Sequence, residues 1–313
     1  MQYRALGRSG IDVSLLSLGT GGASHFGQKT GVDDAGRKRL VDTAIEHGVN
    51  LFDTSEQYDA SEELLGKALA GIPRDRYRLA TKWSYRPGGK LADASALVAA
   101  VERSLWLLKT DVIDIMQFHG ILPGDYEPVM ERYIPTMLSL REQGKIRLIG
   151  FTEMMTQDPQ HGVPLQAVTE HPEIWDVIML KYGILNQWAA KKVLPLAEKH
   201  GVGILNMAPV RQTLTRDADR RALFDSWRTD GTVDVSSLDD EKPFDWLVRG
   251  DVESVIDAGY RFAAMHSGIS TVLTGTANVE HFEANARSIA AASLPADDYQ
   301  RLIDLFSESA AKN

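Results

Sequence analysis

Four polar residues stand at or just past the ends of short apolar runs: Asp53 and Tyr58 after 50–52, Lys82 after 78–81, and His119 after 112–117. Taken singly, each has an ordinary reading. Asp53 can cap a turn, Tyr58 can be a half-buried loop tyrosine, Lys82 can snorkel, and His119 can be a hydrogen-bonded core histidine. Taken together they suit one kind of reaction. A phenol is a poor acid at neutral pH unless a nearby cation stabilises its phenolate, and Lys82 can be that cation. A lysine partly buried in protein tends to shed its proton, whereas a neighbouring carboxylate such as Asp53 keeps it charged. His119 can then donate or accept a hydrogen bond at the same point, orienting a substrate oxygen or relaying a proton. Such a group protonates an oxygen that is acquiring negative charge, as reduction of a carbonyl by hydride requires.

These residues can meet only if the elements carrying them converge. Short β-like runs alternate with amphipathic helical stretches along the whole chain, which predicts parallel strands joined by crossover helices. The strands are expected at 15–18, 50–52, 78–81, 112–117, 146–151, 176–180, 203–206 and 271–273. Helical patterns are expected at 34–47, 61–69, 93–108, 131–143, 189–200 and 252–266, with a weaker one at 164–171. An open sheet and a closed barrel share this alternation, but eight strands favour a (β/α)8 barrel, forming one domain over residues 1–313. A hairpin over 3–13, turning at Arg8-Ser9-Gly10, is expected to plug the barrel floor, and a last helix is expected at 297–309. The one long connection, 212–250, is polar, and connections of that length are usually functional. In a barrel, strand ends share one mouth, so the four residues would face each other there.

Composition narrows the partners. The chain has 313 residues, 43% hydrophobic and 25% charged, enough to build a large core. Its net charge of −9 repels phosphate backbones and anionic membranes, so neither nucleic acid nor a membrane is expected as a partner. Without cysteine there is no thiolate nucleophile, disulfide or Cys-ligated metal. The eight histidines show no metal-ligand spacing, and no metal site is expected. The N-terminal residues lack a signal-like apolar core and no apolar run is long enough to span a bilayer, so the cytoplasm is the expected compartment. Subunit number is not readable.

The chain resembles the NAD(P)-dependent aldo-keto reductases from end to end. The resemblance rests on Tyr3-Arg4-Ala5-Leu6-Gly7-Arg8-Ser9-Gly10, Leu18-Gly19-Thr20, Phe52-Asp53-Thr54-Ser55-Glu56-Gln57-Tyr58, Ala80-Thr81-Lys82, Gln117-Phe118-His119 and Gly144-Lys145-Ile146-Arg147-Leu148-Ile149-Gly150-Phe151. It implies a barrel, and a catalytic tetrad in which Tyr58 is the general acid supported by Asp53, Lys82 and His119.

For the cofactor, Gly19, Thr20 and Gly21 would let backbone approach a ligand over the mouth. Gly275, Thr276 and Asn278 follow the eighth strand and open a helix, where backbone N–H groups face an anion. The resemblance places adenosine phosphates at this loop and implies that Glu283 and Asn285 serve the adenine side. No lysine or arginine occupies 275–281, where NADP-preferring relatives usually place one, and this tips the expectation for the NAD(P)(H) cofactor toward NAD. Around the nicotinamide, Thr152 stands where the family often has Ser, Glu153 replaces its Asn, and Met179 its Gln. Met207, ahead of Ala208-Pro209, takes the place of the usual aromatic stacking residue, and a thioether can still pack on a flat ring. Trp83, the loop 120–126 and Trp227, Phe244 and Trp246 of the long connection are candidates to wall a pocket for a small aldehyde, ketone or sugar. Two other readings remain open: a Schiff-base lyase using Lys82, and an accessory subunit that binds nicotinamide with little turnover.

Overall fold

The computed structural model describes residues 1–291 and 293–310. Ten strands and eleven helices follow one another as β1 (Tyr3–Ala5), β2 (Asp12–Ser14), β3 (Leu16–Gly19), α1 (Asp34–Glu46), β4 (Leu51–Asp53), α2 (Ser61–Ala68), β5 (Arg78–Trp83), α3 (Ala94–Leu108), β6 (Ile113–Ile121), α4 (Tyr126–Glu142), β7 (Ile146–Glu153), α5 (Gly162–Glu170), β8 (Val177–Lys181), α6 (Ala189–His200), β9 (Gly203–Met207), α7 (Gln212–Thr215), α8 (Asp217–Asp230), α9 (Val255–Met265), β10 (Thr271–Thr274), α10 (Val279–Ala290) and α11 (Ala296–Phe306). Strands β3 to β10 close into a parallel barrel, with β10 pairing both β9 and β3. This is the (β/α)8 fold expected from the alternation.

Period-two alternation sorts the side chains. Leu51, Ala80, Ile115, Leu148, Val177, Met179, Leu205 and Leu273 form one cluster inside the barrel, and Leu6 and Val13 from the β1–β2 hairpin join it. The hairpin therefore closes the barrel floor. Residues of opposite parity, such as Phe52, Leu79, Phe118, Phe151 and Ile178, pack outward against the helices. Two positions past Leu51, Ala80 and Ile115 the same inward parity leads to Asp53, Lys82 and Gln117, and two further along β6 stands His119, all at the C-terminal rim.

Strand β6 runs beyond the expected end at Gln117. Its register against β7 shifts between Phe118 and Ile121, so that Phe118 opposes Phe151 and Ile121 opposes Glu153. Bulges of this kind re-aim a side chain near a site. Gly120 makes the bulge possible: its φ is +80°, and a Cβ there would lie 2.1 Å from the Met154 sulfur.

The long connection is not a bare loop. It folds into α7 and α8, and its aromatic residues turn inward, with Phe224 stacked on Trp227 and both packed on Phe306 of α11. Among the described residues no helix is long and apolar enough to cross a membrane, and no three His, Asp or Glu residues gather to hold a metal ion.

Candidate active site

At the barrel mouth lies a cavity of about 670 Å3 whose lining includes Asp53, Tyr58, Gly19, Gly21, Met155, Met179, Met207 and Arg211. A second hollow of about 720 Å3 opens on the outer surface beside Trp106, Lys67 and Lys145, far from the inward-facing polar groups.

The four residues singled out by chemistry come together: Asp53 and Tyr58 line the first cavity, with Lys82 held against Asp53 and His119 against Tyr58. Lys82 is fully enclosed, and its Nζ donates to Asp53 Oδ2 at 2.5 Å and to Thr54 O at 2.7 Å. Gln117 Nε2 donates to the other oxygen of Asp53 at 3.3 Å. The Lys82 ammonium lies 5.0 Å from the centroid of the Tyr58 ring, and Tyr58 Oη lies 3.5 Å from His119 Nε2. Tyr58 comes from the turn after β4. Gln28 holds that turn, donating from Nε2 to Tyr58 O at 3.1 Å and accepting at Oε1 from Ala60 N at 3.0 Å. Gly21 lies against the phenol, where a Cβ would come within 2.8 Å of the ring.

Electrostatics give each group a state. Burial works against the Lys82 ammonium, but the Asp53 carboxylate and then Tyr58 outweigh it and hold the lysine above its usual pKa. The lysine therefore stays charged at neutral pH, while burial raises the pKa of the Asp53 carboxyl against the pull of Lys82 and the hydrogen bond from Gln117. Burial, and secondly the Lys82 charge, push His119 down to about 3, so its imidazole is neutral. His119 Nδ1 lies 2.9 Å from Ser55 Oγ.

Other expected residues divide. Gly19, Gly21, Met179, Met207, Pro209, Gly275, Thr276 and Asn285 line the cavity. Thr20 and Thr152 are buried in the barrel wall and do not line it. Asn278 spends its side chain capping α10, accepting from His281 N at 2.9 Å. Glu283 does not line the cavity either, because the face of α10 turned to it is His281, Ala284, Asn285 and Ser288, spaced three and four apart. The aromatic wall is a correction. Trp83 follows inward-facing Lys82 and so points outward; it is 3% exposed and packs edge-on against Tyr133 at 5.0 Å. Trp227 and Phe244 are buried under α11, Trp246 lies beneath Arg301, and the 120–126 loop does not line the cavity.

Several lining residues escaped the sequence reading. Met155, one residue past Met154 in the turn after β7, and Arg211, four residues past β9, meet across the cavity, with Arg211 Nη1 donating to the Met155 sulfur at 3.0 Å. Arg211 Nε is buried without a partner, and burial lowers the guanidinium's pKa. Glu253, Ser254 and Asp257 from the start of α9 also line the cavity. Glu153 points away from the cavity, its Oε1 accepting from Lys181 N at 2.8 Å and its Oε2 paired with His161 Nδ1.

The profile of the Aldo/keto reductase family matches residues 17–305. The chain belongs to that family. Among curated family relatives, L-galactose dehydrogenase of Arabidopsis thaliana is 27% identical over 300 residues, covering 92% of this chain and 88% of the other. The NADH-specific methylglyoxal reductase of Escherichia coli is 30% identical over 246 residues, covering 69% and 71%. An aldo-keto reductase from Bacillus halodurans, solved in its holo form, shares the fold with a TM-score of 0.73 at 24% identity, covering 99% of this chain and 98% of that one. Members of the family are oxidoreductases that act on carbonyls and sugars with nicotinamide cofactors.

Proposed function

We propose that this chain reduces the carbonyl of a small aldehyde, ketone or sugar with NAD(P)H, and oxidises the alcohol in reverse, with Tyr58 as general acid and base. The observation that carries the reading is the enclosed Lys82, pinned to Asp53 and Thr54 beneath the Tyr58 ring, with Asp53 and Tyr58 lining the cavity. Held there, the ammonium stabilises a phenolate, and the phenol can give its proton to an oxygen gaining charge. Neutral His119 supplies a hydrogen bond at the same point.

The cavity's residues fit the cofactor. Arg211, with a buried Nε lacking a partner, suits the diphosphate. Met155, Met179 and Met207 offer polarizable walls to the nicotinamide, and Gly21 and Gly22 leave room where a Cβ would strike Tyr58 or approach Gly275. His281, Asn285 and Ser288 suit the adenosine. Bound there, the reduced nicotinamide supplies a hydride to the carbonyl carbon. Preference for NAD over NADP is the reading that charge favours: no lysine or arginine from 253–257 or 274–288 lines the cavity among the described residues, whereas the carboxylate of Glu253 does and would repel a 2′-phosphate, Asp257 being paired with Arg261.

The Schiff-base alternative loses support from the same ion pair, since an imine-forming lysine must be neutral to attack. The test is titration with NADH and NADPH, followed by a panel of small aldehydes, ketones and sugars with each cofactor. NADH should bind more tightly and support reduction of at least one carbonyl. Binding without turnover on any carbonyl would instead favour the accessory-subunit reading.

A further inference from the structure

Ser55 lies in the Asp53–Tyr58 turn and is fully buried. Its oxygen accepts from Gln57 N at 3.1 Å, which occupies one lone pair. Its hydroxyl proton then needs an acceptor, and among the described residues the one within reach is His119 Nδ1 at 2.9 Å. Because the imidazole is neutral, only one ring nitrogen carries a proton. We infer that Ser55 is a positioning residue which, by donating to His119 Nδ1, fixes the imidazole as the tautomer protonated on Nε2. This inference rests on the proposed reaction for its consequence, but not for its geometry.

The consequence is directional. Nε2 faces Tyr58 Oη at 3.5 Å. A protonated Nε2 donates toward that oxygen, so the phenol's own proton stays free to point into the cavity. The opposite tautomer would leave the buried Ser55 proton without an acceptor and present Nε2 as a bare lone pair. Tyr58 would then donate to the imidazole, turning its proton away from the substrate. The same Nε2–H also stands beside the oxygen where negative charge develops, as a second donor. In the fixed tautomer His119 is a donor and not a base, leaving the proton transfer to Tyr58.

The test reads the tautomer directly, from the side-chain nitrogen shifts of His119 in isotope-labelled protein, with the resonance assigned by its loss in His119→Asn. Wild type should be protonated on Nε2. Ser55→Ala should populate the Nδ1-protonated form and lower kcat for carbonyl reduction about ten-fold, as expected for one hydrogen bond. The affinity for NADH should be unchanged. Ser55→Thr, which restores a hydroxyl, should return the Nε2-protonated form. Protonation on Nδ1 in wild type overturns the inference, as does a Ser55→Ala protein that switches tautomer yet keeps full kcat. If no carbonyl is reduced by any form, the proposed reaction fails, while the nitrogen shifts still decide the tautomer.

Discussion

Removing the Lys82 charge is the perturbation whose size the geometry sets most directly. The ammonium lies 5.0 Å from the Tyr58 ring centroid. At an effective dielectric of about 20, a unit charge at that separation stabilises a phenolate by about 3 kcal/mol. At 1.36 kcal/mol per decade this is roughly a 200-fold loss of rate. Lys82→Met alone would strand Asp53, and breaking a buried pair from one side costs about 3–5 kcal/mol of stability. The informative comparison is therefore the double variant Asp53→Asn, Lys82→Met against Asp53→Asn alone, in which the hydrogen bond from Gln117 to residue 53 can persist. The assay follows loss of NADH absorbance at saturating NADH and aldehyde, after a thermal melt shows that both variants fold. A folded double variant within about ten-fold of Asp53→Asn would refute the reasoning, because an effect that small leaves no role for the ammonium beneath the ring.

Two further outcomes follow from the same site. Arg211→Met should weaken NADH binding by about ten- to a hundred-fold, the worth of charge-assisted hydrogen bonds to a diphosphate, with kcat nearly unchanged; an unmoved Kd by fluorescence titration would remove Arg211 from the cofactor's path. His119 ties stability to pH. Its folded pKa of about 3 lies below the 6.5 of the free side chain, so between those values the unfolded chain binds the extra proton and stability falls as pH drops. Between about pH 7 and about pH 5 this amounts to about 2 kcal/mol, and His119→Gln should abolish that part of the slope in urea unfolding. An identical slope in both proteins would contradict a buried, neutral histidine.

The eight strands and the four converging residues were legible because both follow a short-range rule. Apolar runs mark strands, and an inward residue two positions past an inward apolar one reaches the rim, as Asp53 does after Leu51 and Lys82 after Ala80. The same rule explains the misreading of Trp83, whose place beside Lys82 in sequence puts it on the opposite face, inside an aromatic layer with Phe118 and Tyr133. Helical spacing likewise separates Glu283 from the face carrying His281, Ala284, Asn285 and Ser288. What stayed hidden depends on how the chain turns after a strand ends. Arg211 and Met155 are 56 positions apart and meet only because the turns after β7 and β9 fold toward each other. The aromatics of the long connection were open to a pocket role until α11 covered them. Ser55 was visible as part of a motif, but its bond to His119 spans 64 positions and depends on where the β6 bulge aims the imidazole.

The central claim is that Tyr58 passes a proton to a carbonyl oxygen while hydride reaches the carbon. It is tested most directly with NADH deuterated on the nicotinamide ring and a small aldehyde, comparing wild type with Tyr58→Phe. Wild type should yield alcohol carrying deuterium on the former carbonyl carbon, and Tyr58→Phe should bind the cofactor equally while forming labelled alcohol at least about a hundred-fold more slowly. Transfer by Tyr58→Phe at the wild-type rate would contradict the account.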